Sequence, residues 1–456
     1  MEDRIDLEAV IKNVEASHVS YVDLRFTDLL GEQLHFQIPK SRLTTELFQS
    51  GLKFDGSSVT GWKGIQESDM IMMPDPGSLR LSCNCASFVC NIIDPLTGKF
   101  YNKDPRQIAL SAERYLRDYL VCEDAKFFFG PELEFFVFNE VEYLTSPNKS
   151  CFKLTSREAS WNKSGPKTAT KGGYFSDSLA EFRSCLMKQL ENAGLEVELA
   201  HHEVGGAGQC EVGVRFNSLA KKADEVMLFK KIVKFAADIY GLHPTFMPKP
   251  IWGDNGNGMH CHQSIFANNE NQFYHQTGKY KLSQFAWNYI GGILHHARAL
   301  AAFTNPTTNS YKRLVPGFEA PIHLVFGGSN RSAAIRIPAD GGEKSTRIEV
   351  RFPDPMANPY LAGAAMLMAG LDGVSNKIDP GEPVEQNLYD AKSLPQGLTM
   401  PSFLEEALYE LEADYEFLLK GGVFKPELIE TWLKLKEEEA RDVSTYPHPR
   451  EFELYF

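Results

Sequence analysis

The stretch that decides how this chain folds is FFFGPELEFFVF, residues 127–138. Its apolar side chains predict a buried strand, yet Glu132 and Glu134 stand near its centre. Residues two positions apart in a strand share a face, so both carboxylates point the same way. Burying two like charges costs several kcal/mol each unless a cation neutralises them. The pattern therefore favours a metal site over the alternative, two surface glutamates on an edge strand.

A second acidic pair follows further along the chain. Residues 195–203 alternate as a strand, and the glycine-rich residues 205–208 permit a tight turn before Glu211. Such a turn would fold Glu203 and Glu211 back towards one another. Taken alone, the segment is explained equally well by a polar hairpin.

A third segment, GDNGNGMHCHQS at residues 253–264, carries two histidines. Strand alternation would place His260, His262 and Ser264 on one face. Zinc is the common partner of such histidines, but the cysteine and histidine spacing of a zinc site is absent from the sequence. One or two histidines among several carboxylates suit Mg²⁺ or Mn²⁺ better.

A fourth segment, RIEVR at residues 347–351, combines an acid with arginines on one strand face. A surface ion-pair ladder is the alternative interpretation. Arginine binds phosphate and carboxylate groups with paired hydrogen bonds. The sequence has neither a P-loop nor a dinucleotide-binding motif, so metal ions and arginines would have to hold any nucleotide. Together the four segments predict metal-dependent phosphoryl transfer to an anionic acceptor.

Composition narrows the class of protein. The 456 residues are 43% hydrophobic and 23% charged, as in ordinary globular proteins. A formal net charge of -13 argues against nucleic acid or an anionic membrane as a partner. The eight cysteines are too scattered for a disulfide framework and predict buried, reduced thiols. With neither a signal peptide nor an apolar stretch long enough to span a bilayer, we expect a cytoplasmic protein.

The alternation of elements predicts an α+β fold in two parts. Residues 1–104 form a small mixed unit, and a helix beginning at Pro105 opens a second domain, residues 105–456. Residues 146–173 are polar and predict an exposed loop. Ser402 and Glu405 have the spacing of a capping box. The aromatic end, residues 451–456, predicts a segment that docks on another surface.

The segments above, in their order and spacing, resemble those of bacterial class I glutamine synthetases. The polar insert suggests the beta subdivision. This resemblance implies a small N-terminal β-grasp-like domain and a catalytic domain with a curved antiparallel sheet (a half-barrel) surrounded by helices. The matching motifs are DGSS (55–58), GWKG (61–64), PELE (131–134), HHEV (201–204), NGNGMHCH (255–262), NPT (305–307), VPG (315–317) and RIEVRFPDP (347–355).

The resemblance also implies a reaction and its cofactors. It implies that ATP drives the joining of ammonia to L-glutamate through γ-glutamyl phosphate, with two Mg²⁺ or Mn²⁺ ions in each active site. The products would be L-glutamine, ADP and phosphate, and the role would be nitrogen assimilation. The implied ligands are Glu134, Glu203 and Glu211 for one ion, and Glu132, His260 and Glu349 for the other.

Other residues match substrate-binding and catalytic positions of the family. Asp55 matches the base that deprotonates ammonium, Glu319 the residue that closes the site, and Arg331 a catalytic arginine. The nucleotide positions are Glu198, Phe216, His262, Ser264, Arg336, Lys344 and Arg347. The positions around glutamate are Asn255, Gly256, Arg313, Glu319, Arg331 and Arg351.

The resemblance further implies a dodecamer of two hexameric rings. In it, the N-terminal domain supplies Asp55 to a neighbouring subunit, and the C-terminal segment reaches the opposite ring. Tyr389 resembles the tyrosine that an adenylyltransferase modifies in this family. Residues 391–395 do not keep the usual spacing after it, so a surface-loop tyrosine is the alternative.

Two other functions remain open at this level. One is a γ-glutamyl ligase of the same fold that uses a polyamine or methylamine, although the loop at Asp55 resembles that of the ammonia-using members. The other is a structural or regulatory protein without catalysis. Against it, suitable residues occupy all six implied metal-ligand positions.

Overall fold

The structure is a computed structural model that describes residues 5–82, 84–159, 161, 177–339, 341–389 and 399–456. Cys83, most of the polar insert and residues 391–395 lie outside the described residues.

The N-terminal unit is built on a mixed sheet. Its strands lie in the order β2-β1-β6-β4-β3, with β1 and β6 parallel, and β5 and β7 pair with β6. Helix α1 begins where the Asp6 side chain accepts the backbone N–H groups of Glu8 and Ala9. The elements are α1 (Leu7–Ala16), β1 (Tyr21–Thr27), β2 (Gln33–Pro39), α2 (Thr45–Ser50), β3 (Leu52–Asp55), β4 (Asp69–Pro74), β5 (Arg80–Ser82), β6 (Cys85–Asp94) and β7 (Lys99–Phe100).

The rest of the described chain begins with the predicted helix at Pro105. Helices and strands then alternate irregularly, which confirms the α+β prediction. The elements are α3 (Pro105–Leu120), β8 (Lys126–Phe138), β9 (Glu140–Ser146), β10 (Lys149–Thr155), α4 (Ala180–Asn192), β11 (Val197–His202), β12 (Gln209–Val214), β13 (Asn217–Ser218), α5 (Leu219–Ile239), β14 (His243–Thr245), β15 (Met259–Ala267), β16 (Glu270–Asn271), α6 (Gln284–His295), α7 (Ala297–Thr304), α8 (Ser310–Arg313), β17 (Phe326–Gly328), β18 (Ile335–Ile337), β19 (Ile348–Val350), α9 (Pro359–Asn376), α10 (Leu404–Ala413), α11 (Glu416–Leu419), α12 (Pro426–Ser444) and α13 (Pro449–Tyr455).

Strand β8 is the centre of the large sheet, whose order is β11-β12-β8-β15-β19-β18-β17. Its first part, Lys126 to Leu133, pairs with β15, and Glu134 to Phe136 pair with β12, both antiparallel. The odd-numbered residues Phe127, Phe129 and Phe135 are fully buried in the main core. The opposite, even-numbered face carries Glu132 and Glu134, as the strand alternation predicted.

Two predictions about local structure were wrong. Residues 140–155 form a β-hairpin, β9 and β10, where a loop was predicted from residue 146. Helix α10 begins at Leu404, and no side chain caps it in the predicted way. Instead, the Glu406 side chain accepts the backbone N–H of Ser402 at 2.7 Å. The reciprocal bond of a capping box is lost because the helix begins later than the serine requires.

The C-terminal helix α13 is exposed on the described chain. Phe452, Leu454, Tyr455 and Phe456 all expose more than half of their surface. Their docking on another surface therefore stays a prediction. No helix of the described residues is long and apolar enough to cross a membrane.

The described cysteines form no disulfide bond. Cys85, Cys90, Cys210 and Cys261 are buried, as predicted, whereas Cys151 is exposed on the β9–β10 hairpin.

Candidate active site

Adjacent strands bring the first group of predicted ligands together. In the pairing of β8 with β15, Glu132 stands opposite His260, and in the pairing of β15 with β19, His262 stands opposite Glu349. Ligand atoms of Glu132, His262 and Glu349 lie within 4.8 Å of one another. His260 Nδ1 lies 3.9 Å from Glu132 Oε2 and 3.8 Å from Glu349 Oε1. We call these four residues the first cluster.

Positive charge keeps the carboxylates of the first cluster ionised. Burial opposes ionisation of Glu349, but the charges of Arg351, His260 and Arg336 outweigh it and lower its pKa to about 2. The Glu349 carboxylate is 1% exposed and forms ion pairs with Arg336 and Arg351. Hydrogen bonds from both histidines likewise lower the pKa of Glu132, despite its burial.

The structure brings His262 closer to Glu132 than the predicted ligand His260. His262 Nε2 lies 2.8 Å from Glu132 Oε1. The resemblance places His262 at the nucleotide instead. Both side chains project from the same face of β15, so either imidazole can face a bound ion.

The β11–β12 hairpin forms the second cluster, His201, Glu203 and Glu211. The backbone N–H of Glu203 donates to the Gln209 carbonyl at 2.8 Å, so the glycine turn closes as predicted. Ligand atoms of the three side chains lie within 4.8 Å of one another. Sequence reasoning did not select His201, which lies near the end of β11, two residues before Glu203. Its hydrogen bond with Glu211 raises the pKa of His201 to about 9.

Glu134 lies between the two clusters. Its Oε1 is 3.9 Å from His260 Nε2, and its Oε2 accepts the backbone N–H of Gly258 at 2.7 Å. Burial, together with the charges of Glu203 and Glu211, raises its pKa well above the ordinary value. Three carboxylates that oppose one another's ionisation in a buried place fit a divalent cation.

Gln209 is a second residue that the sequence analysis did not select. Its side-chain amide donates to Glu134 Oε2 at 3.1 Å and to the Gly256 carbonyl at 3.0 Å. It therefore fixes the rotamer of Glu134 against the glycine-rich segment. Its position after a glycine turn offered no signal of this role.

Two of the predicted arginines, Arg313 and Arg347, contact residues of the first cluster or of the segment that follows β19. Arg313 is buried and donates to the carbonyls of Phe352, at 2.8 Å, and Arg351, at 3.1 Å. Arg347 Nε donates to His262 Nδ1 at 3.2 Å. Arg331 behaves differently, because its side chain is exposed while its carbonyl accepts Arg351 Nε at 3.0 Å.

Loop residues complete the side of the second cluster. Asn255 Nδ2 donates to Glu319 Oε2 at 3.1 Å, and Glu319 has a φ of 58°. A Cβ atom on Gly256 would meet Arg313 Cγ at 3.0 Å and come closer still to the Pro248 carbonyl, so only glycine fits there. The Tyr389 hydroxyl donates to the Arg331 carbonyl at 3.2 Å, and burial raises its pKa to about 12.

The remaining predicted nucleotide residues lie on or near strands β11, β13, β15 and β19. The ring of Phe216 contacts that of Phe128 edge-on, with centroids 5.2 Å apart. Ser264 is half-buried on β15, two residues beyond His262. Glu198, on β11, and Lys344, before β19, are both exposed.

Asp55 stands apart from these residues. It is exposed at the end of β3, and its Oδ1 accepts the Ser57 N–H at 2.9 Å and the Ser57 hydroxyl at 2.6 Å. These bonds lower its pKa. Among the described residues, no hydrogen bond or ion pair joins Asp55 to either cluster.

Two carboxylate–imidazole clusters, bordered by arginines and set on neighbouring strands of one sheet, have the make-up of an enzyme site that could hold divalent ions beside an anionic ligand. Sequence comparison identifies the family. The profile of "Glutamine synthetase, catalytic domain" matches residues 102–455, and that of "Glutamine synthetase, beta-Grasp domain" matches residues 18–95. The chain belongs to the glutamine synthetase family.

Individual relatives agree along the whole length. The chain is 48% identical to the glutamine synthetase of Azotobacter vinelandii, over 97% of this chain and 98% of that protein. The cryo-EM structure of Plasmodium falciparum glutamine synthetase superposes with a TM-score of 0.89 at 28% identity, covering 99% of each chain. A GmaS/ADP complex superposes with a TM-score of 0.83 at 27% identity, covering 98% of this chain and 99% of that one. The β-grasp domain and the curved half-barrel sheet predicted from sequence are confirmed.

Proposed function

We propose that the protein is a glutamine synthetase that joins ammonia to L-glutamate at the expense of ATP. The observation that carries the proposal is the meeting of Glu132, Glu134, Glu203, Glu211 and Glu349 from separate segments on one sheet face. This convergence occurs in a chain that is 48% identical to a glutamine synthetase over nearly its full length. Glutamine, ADP and phosphate are the products.

The donor set fits two divalent ions with a preference for oxygen ligands, Mg²⁺ or Mn²⁺. We assign Glu134, Glu203 and Glu211 to one ion and Glu132, His260 and Glu349 to the other. When bound, the ions neutralise the carboxylates and polarise the ATP phosphates. His201 and His262 stand close enough to the carboxylates to donate hydrogen bonds to them and so to adjust ligand orientation.

In the first step, the γ-carboxylate of glutamate attacks the γ-phosphate of ATP, the bond from the γ-phosphorus to the bridging oxygen breaks, and γ-glutamyl phosphate and ADP form. This activation is needed because a free carboxylate has no competent leaving group. Arg336 and Arg351 already stand against Glu349 and would stabilise the charge that develops on the phosphoryl oxygens. We assign Arg313, Arg331, Asn255 and Gly256 to the glutamate side of the site.

For the nucleotide, we assign Phe216, Ser264, His262, Arg336, Arg347, Lys344 and Glu198. The Phe216 and Phe128 rings supply an apolar surface that a base can stack on. The similarity to a GmaS/ADP complex supports an adenine nucleotide in this fold.

In the second step, ammonia displaces phosphate from the acyl phosphate. At neutral pH, ammonia is mostly present as ammonium, which has no free electron pair. A base must therefore remove a proton before the nitrogen can attack. We assign this role to Asp55 of a neighbouring subunit, within a cytoplasmic dodecamer of two hexameric rings. Glu319 shields the acyl phosphate from water and helps to receive a proton.

The decisive experiment compares amine substrates. Phosphate release with ATP, Mg²⁺ and glutamate is measured with ammonium, methylamine or putrescine, and the amide product is identified by mass spectrometry. Ammonium should give the highest kcat/KM by at least about tenfold, a difference of about 1.4 kcal/mol. A preference for methylamine or putrescine would make the protein a γ-glutamyl ligase for amines. No Mg²⁺-dependent phosphate release with any amine would favour a non-catalytic role.

We further propose Tyr389 as the target of an adenylyltransferase. Its hydroxyl donates to the Arg331 carbonyl at 3.2 Å, so modification requires this contact to open. An AMP group would then prevent the contact from reforming and should raise the KM for glutamate. Intact-mass analysis of protein incubated with an adenylyltransferase and ATP, beside a Tyr389→Phe variant, tests this. Mass addition to both would place the modification elsewhere.

A further inference from the structure

Residues 315–320 form a loop that carries Glu319; we call it the Glu319 loop. Pro316, Gly317 and Glu319 are exposed, and a Cβ atom on Gly317 would meet nothing within 4 Å. Glu319 adopts a φ of 58°, which is unfavourable for a residue with a side chain. Such a loop needs specific contacts to keep its conformation.

One contact comes from a lysine that the proposed mechanism does not use. Lys249 Nζ lies 3.7 Å from the centroid of the Phe318 ring, close enough for a strong cation–π interaction. The same ammonium donates to the Asp254 carbonyl. Lys249 is buried, so water competes little with either contact.

The backbone of Lys249 is itself held in place. Its N–H donates to Asn309 Oδ1 at 2.7 Å, and Asn309 Nδ2 donates back to the Lys249 carbonyl at 3.1 Å. Asn309 directly precedes α8, which carries Arg313. Lys249 therefore ties the Glu319 loop to the helix that supports the glutamate side of the site.

A second contact holds the neighbouring residue. Asn255 Nδ2 donates to Glu319 Oε2 at 3.1 Å, and Asn255 directly follows Asp254, whose carbonyl accepts from Lys249. The ammonium of Lys249 thus bridges the Glu319 loop and the backbone beside Asn255. Losing it would loosen both contacts of the loop at once.

We propose that Lys249 is a positioning residue that holds the Glu319 loop closed over the site through the Phe318 ring. This inference rests on the proposed function, because the closed loop is what keeps water away from γ-glutamyl phosphate. Lys249 contacts no reacting atom. Its effect is on the fraction of acyl phosphate that reaches ammonia before water hydrolyses it.

The charge of Lys249 supports the role. Burial lowers its pKa to about 8; Asp254 opposes this shift, and Arg313 adds to it. The side chain is therefore largely protonated at neutral pH, as a cation–π contact requires.

The test measures how tightly ATP cleavage is coupled to glutamine formation. Wild type and four variants (Lys249→Met, Lys249→Arg, Phe318→Leu and Phe318→Tyr) are assayed for phosphate released per glutamine formed and for phosphate release without ammonium. Lys249→Met and Phe318→Leu should each raise uncoupled phosphate release roughly 3- to 30-fold, the range expected for loss of one cation–π contact. Lys249→Arg and Phe318→Tyr keep a cation and a ring, so they should stay close to wild type.

A matched control separates this role from general loosening of the fold. Lys230 is a half-buried lysine with similar contacts: it donates to the Pro355 carbonyl at 2.6 Å, and its Nζ lies 5.6 Å from the centroid of the Phe246 ring. Lys230→Met should leave coupling unchanged even if it lowers thermal stability.

Three outcomes would overturn the proposal: coupling as in wild type for Lys249→Met and Phe318→Leu, uncoupling by Lys230→Met to the same extent, or no rescue by arginine. If Lys249→Met does not fold, Phe318→Leu, at the half-buried end of the contact, still decides. If the wild-type protein forms no glutamine, the proposed function is refuted. If the wild-type protein is active and the variants remain coupled, only the role of Lys249 is refuted.

Discussion

Glu134 is the residue on which the site depends most directly. It has nearly no contact with water, and the charges of Glu203 and Glu211 act on it from the neighbouring hairpin. Its raised pKa means that the metal-free fold favours the protonated form. The contribution of protonated Glu134 to the stability of the metal-free fold is lost as the pH rises through this raised pKa. A bound cation reverses the loss because it favours the ionised carboxylate.

Metal binding should therefore release protons. Calorimetric titration of the metal-free protein with Mg²⁺, in two buffers of different ionisation enthalpy, should give a proton release that Glu134→Gln largely removes. The variant should also bind Mg²⁺ at least about tenfold more weakly. Glu142→Gln, which changes an exposed acid paired with Lys153 on the β9–β10 hairpin, is the control and should behave as wild type. Equal proton release from Glu134→Gln would remove Glu134 from the ligand set.

At this scale the sequence was informative about residue types but not about their exact partners. Strand alternation placed Glu132 and Glu134 on one face, and the structure agrees. It could not place His201 beside Glu211 or Gln209 against Glu134, because these contacts depend on the register of β11, β12 and β8. A polar residue after a glycine turn looks the same whether it faces water or a ligand.

Among the elements, the pair α6 and α9 carries much of the core. Gly292 of α6 and Gly373 of α9 face each other so closely that a Cβ atom on Gly292 would lie 2.7 Å from Gly373 Cα and closer still to the Ala369 carbonyl. Backbone atoms cannot move aside as a flexible side chain can. The crossing of the two helices therefore depends on glycine at both positions.

Substituting alanine for Gly292 should separate these helices. We expect Gly292→Ala to lower the free energy of unfolding by about 1–3 kcal/mol, as overpacking does in other cores. The midpoint of urea unfolding, followed by far-ultraviolet circular dichroism, measures the change. Gly64→Ala is the control, since its Cβ atom would meet only the flexible end of Gln66. An unchanged midpoint for Gly292→Ala would show that the helices can move apart at little cost.

Sequence patterns located most elements but not all of their ends. The helix beginning at Pro105 was expected from the sequence, and the structure has it. The start of α10 was misplaced by one residue, because Glu406, next to the Glu405 of the predicted box, accepts the Ser402 backbone N–H. Side chains that can cap a helix in more than one register leave its start undecided until the helix is packed.

For the whole molecule, the position of Asp55 bears on whether each active site combines residues of two subunits. It is exposed, and its hydrogen bonds stay within its own loop, as expected if its partner site belongs to another subunit. Asp55→Ala and Glu211→Gln variants should each be inactive. Assemblies formed from equal amounts of both, unfolded and refolded together, should recover about one quarter of wild-type activity if each site combines two subunits. No recovery, from mixtures shown to form mixed oligomers, would place Asp55 in its own chain's site.

We expect the exposed C-terminal helix α13 to be needed for assembly of the full oligomer. Four large apolar side chains of residues 452–456 are open to solvent, which is costly for a free chain and typical of a surface that another subunit covers. Removing residues 449–456 should lower the mass measured by light scattering from that of a dodecamer to that of a smaller oligomer. Replacing Tyr409, an exposed aromatic residue elsewhere on the chain, by serine should leave the mass unchanged. A truncated protein of full mass would contradict this role.

The sequence by itself determined which chemistry the protein can carry out. Two carboxylates at strand spacing inside an apolar segment are unfavourable without a cation. This pattern is local, so it can be recognised from the order of residues alone. Only the tertiary structure decided which of these carboxylates lie close together, because residues 132, 203, 211, 260 and 349 meet through strand pairing across long separations. Pairing register depends on the packing of the whole sheet against its helices, and no local pattern encodes it.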